Sequence, residues 1–403
     1  MIKFMKIYEN NPVITSNIEL FDGSIAVIKD TEKYKALKSE NYNFFFNKKD
    51  GFFVRWGKGN GSRNEKISKQ EMELYLIWCS IWKESFPVEQ FMSDLETDPP
   101  LSKNLVEICD IEIAEICEGV PGKGPCSYCY KSNSGNKGEN MSFETYKKVF
   151  KSLPTTITQI AFGTGTLRRH PEMWDIMRYT RENGVIPNLT INGDVSDEDL
   201  KKISELAGAC AVSLHDRELG YNCIKKLCDF GMTQVNIHQV IYLENFSETM
   251  QILKDRLTDS RLEKLNAVVL LNLKTKGRAS KGFTILPQDK YNELINFALE
   301  NNIGIGSDSC GAFKFILAIK DRSDAKRLET YIEPCESSLF SSYINARGEF
   351  FACSFAEKEN EGLSVIECED FMKDIWYNKK TREFSKEVIK CRNCNIGCSI
   401  FEI

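Results

Sequence analysis

Between residues 108 and 310 the chain alternates short β-branched apolar runs with longer amphipathic stretches. The runs fall at 110–116, 157–162, 185–191, 209–214, 233–241, 266–273 and 303–307, and they predict strands. The intervening stretches Ser142–Ser152, Pro171–Asn183, Ser196–Leu206, Tyr221–Phe230, Phe246–Leu257 and Gln288–Asn301 read as helices. Ser142 and Ser196, each followed by acidic residues, mark helix starts. Alternation of this kind predicts parallel strands with right-handed crossovers, as an open doubly wound sheet or as a barrel. Functional groups then belong at the carboxyl ends of the strands.

The flanks differ from this pattern. Asn41–Trp56 reads as a hairpin turning at Lys-Asp-Gly, residues 68–93 are helix-like and aromatic, and Asp98-Pro99-Pro100 breaks the chain. Beyond 310, extended segments around 339–355 precede an aromatic helix near 370–377 and the closing Cys391-x2-Cys394-x3-Cys398. The predicted organisation is an N-terminal extension over 1–105, a strand–helix domain over 106–310 and a cysteine-rich module over 311–403.

At 403 residues the chain exceeds one ordinary core, in line with this division. A net charge of −5 offers no basic footprint, so neither nucleic acid nor an anionic membrane is an expected partner. No apolar run approaches the roughly 18 residues of a membrane span, and the N-terminus has no signal-like segment. A cytoplasmic protein is expected. Fifteen cysteines against three histidines, with CxxC-type spacings, suit metal binding in a reducing compartment and argue against histidine-based chemistry.

Three of those cysteines lie where a site should be. Cys117 follows the first strand of the alternating region, and Cys126-Ser-Tyr128-Cys129 comes after a Gly/Pro-rich insert. Thiolates at a strand tip are ligands for a soft metal centre, and three of them leave one iron of a cubane open. Cys109 lies further back within the strand approach, so Cys117 is read as the first ligand. A structural zinc site needs a fourth ligand nearby, and no histidine precedes His170.

Cys117, Cys126 and Tyr128-Cys129 together resemble the cluster motif of radical SAM enzymes, with an insert of eight residues where the family's is shorter. The resemblance implies a partial (β/α)6 TIM-like barrel of the α/β class with an N-terminal α+β extension. It implies a [4Fe-4S] cluster on the three cysteines, which binds S-adenosylmethionine, cleaves it reductively and yields a 5′-deoxyadenosyl radical. A flavodoxin- or ferredoxin-type electron donor follows. By the same resemblance, Tyr128, Gly163, Thr164 and Gly165 adjoin the cofactor, with Asn192, Ser213 and His238 at later strand ends. The family's acidic residue after the second strand is missing, leaving backbone carbonyls, Thr164 or Thr166 to serve. His238 also reads as a hydrogen-bonded core histidine, and Lys274, Lys276 and Arg278 either as partners for a carboxylate or as solvated charges.

Cys335, Gly348-x4-Cys353 and the closing Cys391, Cys394 and Cys398 resemble the SPASM and twitch modules that carry auxiliary iron–sulfur clusters. These are five cysteines, or six with Cys310, which implies one auxiliary [4Fe-4S] cluster, most simply on Cys335, Cys353 and two of the last three. A structural four-cysteine zinc site is the alternative. Cys223, Cys228 and Cys310 are candidate hydrogen donors. SPASM relatives mostly modify peptides and proteins by cross-linking, oxidation or epimerisation, so the expected substrate is a ribosomally made peptide or protein. Its leader would be held by the N-terminal extension through strand addition. A small-molecule or nucleotide substrate is the alternative among enzymes. A non-catalytic zinc or iron–sulfur protein is the alternative outside them.

Overall fold

The computed structural model describes residues 13–40, 42–49, 51, 53–57, 69–83, 105–329, 331–357 and 361–393. Its centre is a run of parallel strands in chain order: β6 (Ile108–Glu112), β7 (Gln159–Gly163), β8 (Ile186–Ile191), β9 (Cys210–Ser213), β10 (Val235–Ile241), β11 (Ala267–Asn272) and β12 (Ile305–Ser307). Helices α2 (Phe143–Ser152), α3 (Met173–Glu182), α4 (Asp197–Leu206), α5 (Arg217–Asp229), α6 (Phe246–Thr258) and α7 (Gln288–Glu300) make the crossovers. Ser142 and Ser196 cap α2 and α4 by accepting from the Thr145 and Asp199 amides. Helix α5 starts earlier than its apolar pattern suggests, because Asp216 accepts from the Leu219 amide at 3.1 Å.

The strands' period of two divides their side chains between two environments. Cys109, Ile111, Ile160, Phe162, Leu189, Ile191, Cys210, Val212, Val235 and Ile237 are buried against the helices. The alternate residues Asp110, Ala161, Thr190, Ser213, Asn236 and His238 face a polar, accessible lumen. The barrel stays open, because β6 pairs with a C-terminal strand instead of with β12. This is the partial (β/α)6 barrel that the resemblance implied, and it selects between the open sheet and the barrel that the alternation left open.

That C-terminal strand, β13 (Ser341–Ile344), runs parallel to β6, and β14 (Glu349–Phe351) and β15 (Leu363–Ser364) continue the sheet antiparallel. A π-helical turn over Phe371–Trp376 and helix α10 (Lys379–Asn393) follow, after the short α8 (Ala312–Ile319) and α9 (Ala325–Glu329) upstream. The cysteines at 335 and 353 therefore ride on an extension of the barrel's own sheet.

The N-terminal part is a meander of five antiparallel strands, β1 (Ile14–Glu19), β2 (Ile25–Asp30), β3 (Tyr34–Lys38), β4 (Tyr42–Asn47) and β5 (Phe53–Gly57). Helix α1 (Lys69–Trp82) covers one face through Tyr75, Ile77 and Trp78, packed on Ala36, Phe45 and Val54. Ile28, Leu37 and Phe44 on the other face join the barrel's core. Lys35 crosses that junction, donating to the Thr155 and Ile157 carbonyls at 3.0 and 2.5 Å. Both carbonyls precede β7, so the meander docks at the amino end of the barrel, away from the expected site. No described helix is long and apolar enough to cross a membrane.

Burial pulls the Lys35 ammonium down from 10.5 to about 8. Between those values the unfolded chain holds the proton and the folded chain does not, so stability rises as pH rises through the window. Urea midpoints at about pH 7.5 and about pH 10 should show wild type gaining on Lys35→Met as pH increases. A constant difference would contradict the burial of this charge.

Candidate active site

The chain leaves β6 at Glu112 and reaches Cys117 through a segment held by the turn after β7. Ile113 and Ala114 donate to the Gly163 carbonyl at 2.9 and 3.3 Å, and Thr166 donates to Ile116 at 2.9 Å. The Thr166 hydroxyl accepts from the Glu118 amide at 2.8 Å. A side chain at Gly165 would stand 2.0 Å from the Ile116 carbonyl oxygen, so only glycine fits. The Gly163–Thr166 turn thus fixes the backbone on both sides of Cys117. Thr164 instead turns to β8, donating to the Thr190 carbonyl at 2.7 Å.

Cys126 and Cys129 are fixed from the opposite side. Arg278, after β11, donates through Nε to the Cys126 carbonyl and through its guanidinium to Asn133, both at 2.9 Å. Its amide donates to the Cys129 carbonyl at 3.0 Å. Gly277 has φ +55°, and a β-carbon there would lie 2.3 Å from the Tyr130 carbonyl oxygen. Lys274 is buried, donating to Asp308 at 2.6 Å and to the Asn272 carbonyl at 2.8 Å. Lys274 thus meets a carboxylate, one of the two readings the sequence allowed, while Arg278 meets backbone carbonyls instead of solvent. The available signal was a glycine, Gly277, in the segment that follows β11, with Arg278 directly after it.

The three thiols are half-buried. Cys126 and Cys129 hydrogen-bond one another, which pushes the Cys129 thiol down and the Cys126 thiol up. Backbone amides of Asn133 and Lys131 and the Arg278 charge favour the Cys129 thiolate further, and Cys117 lies close enough to act on Cys126. A soft cluster needs thiolates, so this donor set fits one.

The insert is ordered by its own turn and by the barrel rim. Gly119 has φ +73°, and a β-carbon there would meet the Gly124 carbonyl at 1.8 Å. Asn192 donates to the Gly119 carbonyl at 2.9 Å and accepts from Asp194 at 3.1 Å, so both ends of its amide are engaged. Arg168 bridges Glu118 and Asp194, and Lys123 pairs with Asp216 at 2.9 Å. Tyr128 meets His215 Nδ1 at 3.0 Å, with the Tyr242 and Phe283 rings around it.

Ser213 and His238 line the lumen as neighbours in register. His238 Nδ1 lies 3.4 Å from the Thr190 hydroxyl, and burial pulls its imidazole down to about 4. Asp110 opens to the lumen yet is walled by protein, which pushes its carboxyl up to about 6. Cys223 and Cys228 are buried on α5 behind the sheet, where they cannot reach the lumen.

Among the C-terminal cysteines, Cys335 packs with Leu339, Phe340 and Val388, and Cys391 lies near the end of α10. Cys353 opens a turn that packs on the cysteine loop, where the Phe355 ring lies 4.6 Å from that of Tyr130. Cys310 sits in the turn after β12 that Asp308 caps. Cys394 and Cys398 lie outside the described residues.

No family model matches the chain, and no curated protein matches it. Solved structures do. Streptococcus suis SuiB bound to precursor peptide SuiA aligns with a TM-score of 0.60 at 10% identity, over 87% of this chain and 89% of that one. SuiB alone gives 0.58 at 10% identity over 86% and 87%, and SuiB bound to S-adenosylmethionine gives 0.57 at 12% over 84% and 85%. At these identities the likeness is one of fold. The partial-barrel fold implied by the resemblance at Cys117, Cys126 and Cys129 is thus a fold that this chain shares with SuiB.

The crowding at Gly165 and Gly277 makes each a test of the site. Gly165→Ala and Gly277→Ala should each lower iron bound after anaerobic reconstitution by at least about half, a strain effect of ~1–3 kcal/mol. The far-ultraviolet spectrum should not change. Full iron loading in both variants would show that the loop does not need these contacts.

Proposed function

We propose that this chain is a radical SAM enzyme acting on a ribosomally made peptide or protein. The observation that carries the reading is the placement of Cys117, Cys126 and Cys129. They stand clamped between the turns after β7 and β11, at the carboxyl mouth of an open polar barrel. A [4Fe-4S] cluster on those thiolates would supply the electron that cleaves S-adenosylmethionine to the 5′-deoxyadenosyl radical.

The chain's own part is positioning and exclusion. The two clamps fix the backbone on either side of the three cysteines, and Arg278 places a positive charge beside Cys126 and Cys129. The folded insert and the Tyr128–His215 contact close one side of the mouth. His238 stays neutral through the ordinary working range, so the lumen beneath offers hydrogen bonds without a cation. Such a lined cavity keeps water from a reactive carbon centre.

A peptide substrate is supported by two features. The similar fold of SuiB was observed with a precursor peptide. In this chain β1 is an edge strand among the described residues, and a cavity of about 640 Å³ lies beside it. Asn17, Leu20, Phe21, Thr155, Phe371 and Tyr377 contribute to its wall. An extended leader adding to that edge would gain main-chain hydrogen bonds and a pocket for its side chains. In this reading residues 1–105 receive the leader, 106–310 form the barrel, and 311–403 carry one auxiliary [4Fe-4S] cluster. Its ligands are Cys335, Cys353 and two of Cys391, Cys394 and Cys398, with Cys310 as a further candidate. A flavodoxin- or ferredoxin-type protein supplies electrons.

The test is anaerobic reconstitution, reduction with dithionite, addition of S-adenosylmethionine and chromatography for 5′-deoxyadenosine. Wild type and Cys353→Ala should form it, and Cys126→Ala should lose at least about a hundredfold, since the cluster performs the chemistry. Equal yields from wild type and Cys126→Ala would refute the assignment.

A further inference from the structure

Lys131 lies two residues beyond Cys129, and its ammonium is buried among groups from three separate segments. It donates to Glu112 at the end of β6 at 2.9 Å, to the Tyr343 hydroxyl on β13 and to Glu357. Tyr343 also donates to Glu112 at 2.8 Å, and Asn345 donates to Glu357 at 3.1 Å. Burial pushes the Glu357 carboxyl up, but the hydrogen bond and charge of Lys131 outweigh it and hold the group below its ordinary range. Glu112, Glu115 and Glu357 present carboxylate oxygens within 4.8 Å of one another, the spacing of a divalent cation site. With the Lys131 ammonium bonded to two of the three, the positive charge is supplied from within the chain.

Glu357 ends the turn that Cys353 begins, and Ser354 and Phe355 between them are tied to the same region. Ser354 hydrogen-bonds Tyr130, and the Phe355 ring packs on that of Tyr130. The Phe355 carbonyl accepts from Lys276, and the Lys274 ammonium lies 5.3 Å over its ring. Gly277, beside Lys276, is pressed against the Tyr130 carbonyl. The turn after Cys353 is therefore packed on the residues that follow Cys129. A buried ammonium bonded to two carboxylates is the strongest of these contacts, because removing it leaves like charges facing each other away from water.

We propose that Lys131 is a positioning residue that fixes the Cys353 segment against the three-cysteine loop and so sets the separation of the two cysteine groups. Glu112 and Tyr343 anchor the ammonium to the sheet, and Glu357 brings the C-terminal turn to it. The consequence for cluster spacing rests on the radical SAM reading. The latch itself does not.

The test is amide hydrogen exchange on metal-free full-length protein, which needs no cluster. Lys131→Met should speed exchange of the amides at 354–357 by at least about tenfold, as expected for losing hydrogen bonds to charged groups. Amides of β8–β11 should keep their rates, and Lys131→Arg should return the turn to near wild-type protection. If Lys131→Met does not fold, Lys131→Met/Glu357→Gln relieves the repulsion and is read the same way. Unchanged exchange at 354–357 in the folded variant would overturn the proposal. In reconstituted, reduced protein, the magnetic interaction between the two centres should weaken in Lys131→Met at equal iron content. If wild type binds no iron at the three cysteines, the functional reading fails while the exchange result still decides the latch.

Discussion

The mouth of this barrel depends on how one loop is held. Residues 113–133 carry three thiols and almost no regular structure, so their own propensities do not place the sulfurs. The placement comes from outside the loop. Gly163 and Thr166 grip the Cys117 side, Arg278 and Gly277 grip the Cys126–Cys129 side, and Asn192 and Lys123 draw the insert onto the rim. Most of these contacts end on backbone carbonyls or amides. They fix main-chain position and leave the three thiols half-buried.

The electrostatics follow from the same arrangement. Arg278 lies beside the cysteine pair and biases it toward a thiolate before any metal arrives. Further out, Lys131 neutralises carboxylates that would otherwise repel in a site with little water. In the lumen the balance is different. Asp110 and His238 are both shifted toward their neutral forms by loss of water. The lumen wall is therefore polar with little fixed charge, which suits a cavity receiving a substrate segment.

Much of this was legible in the residues. The seven strand positions and the six helices followed from periodicity, because the barrel's parallel strands are apolar on the helix side and bounded by turn residues. The three cysteines stood out as a candidate site because they come after an apolar strand-like run with Tyr128 just before the last of them, although the eight-residue insert departs from the family's spacing. What stayed hidden were contacts between parts distant in sequence. Arg278 meets Cys126 across 152 positions and Lys131 meets Glu357 across 226, and no neighbouring residue in the sequence marks either contact. The pairing of β13 with β6 was hidden for the same reason, since register between remote strands leaves no local mark. The meander at the N-terminus showed only its β4–β5 hairpin, because the first three strands carry many polar residues on their outer positions.

The central claim is that Cys117, Cys126 and Cys129 hold one cluster with an iron open to S-adenosylmethionine. Its most direct test is electron paramagnetic resonance on reduced, reconstituted protein carrying Cys335→Ala and Cys353→Ala, with and without S-adenosylmethionine. The account predicts a single cluster signal whose g-values shift when the cofactor is added. A signal that the cofactor leaves unchanged, or iron-free protein that binds only zinc, would contradict it.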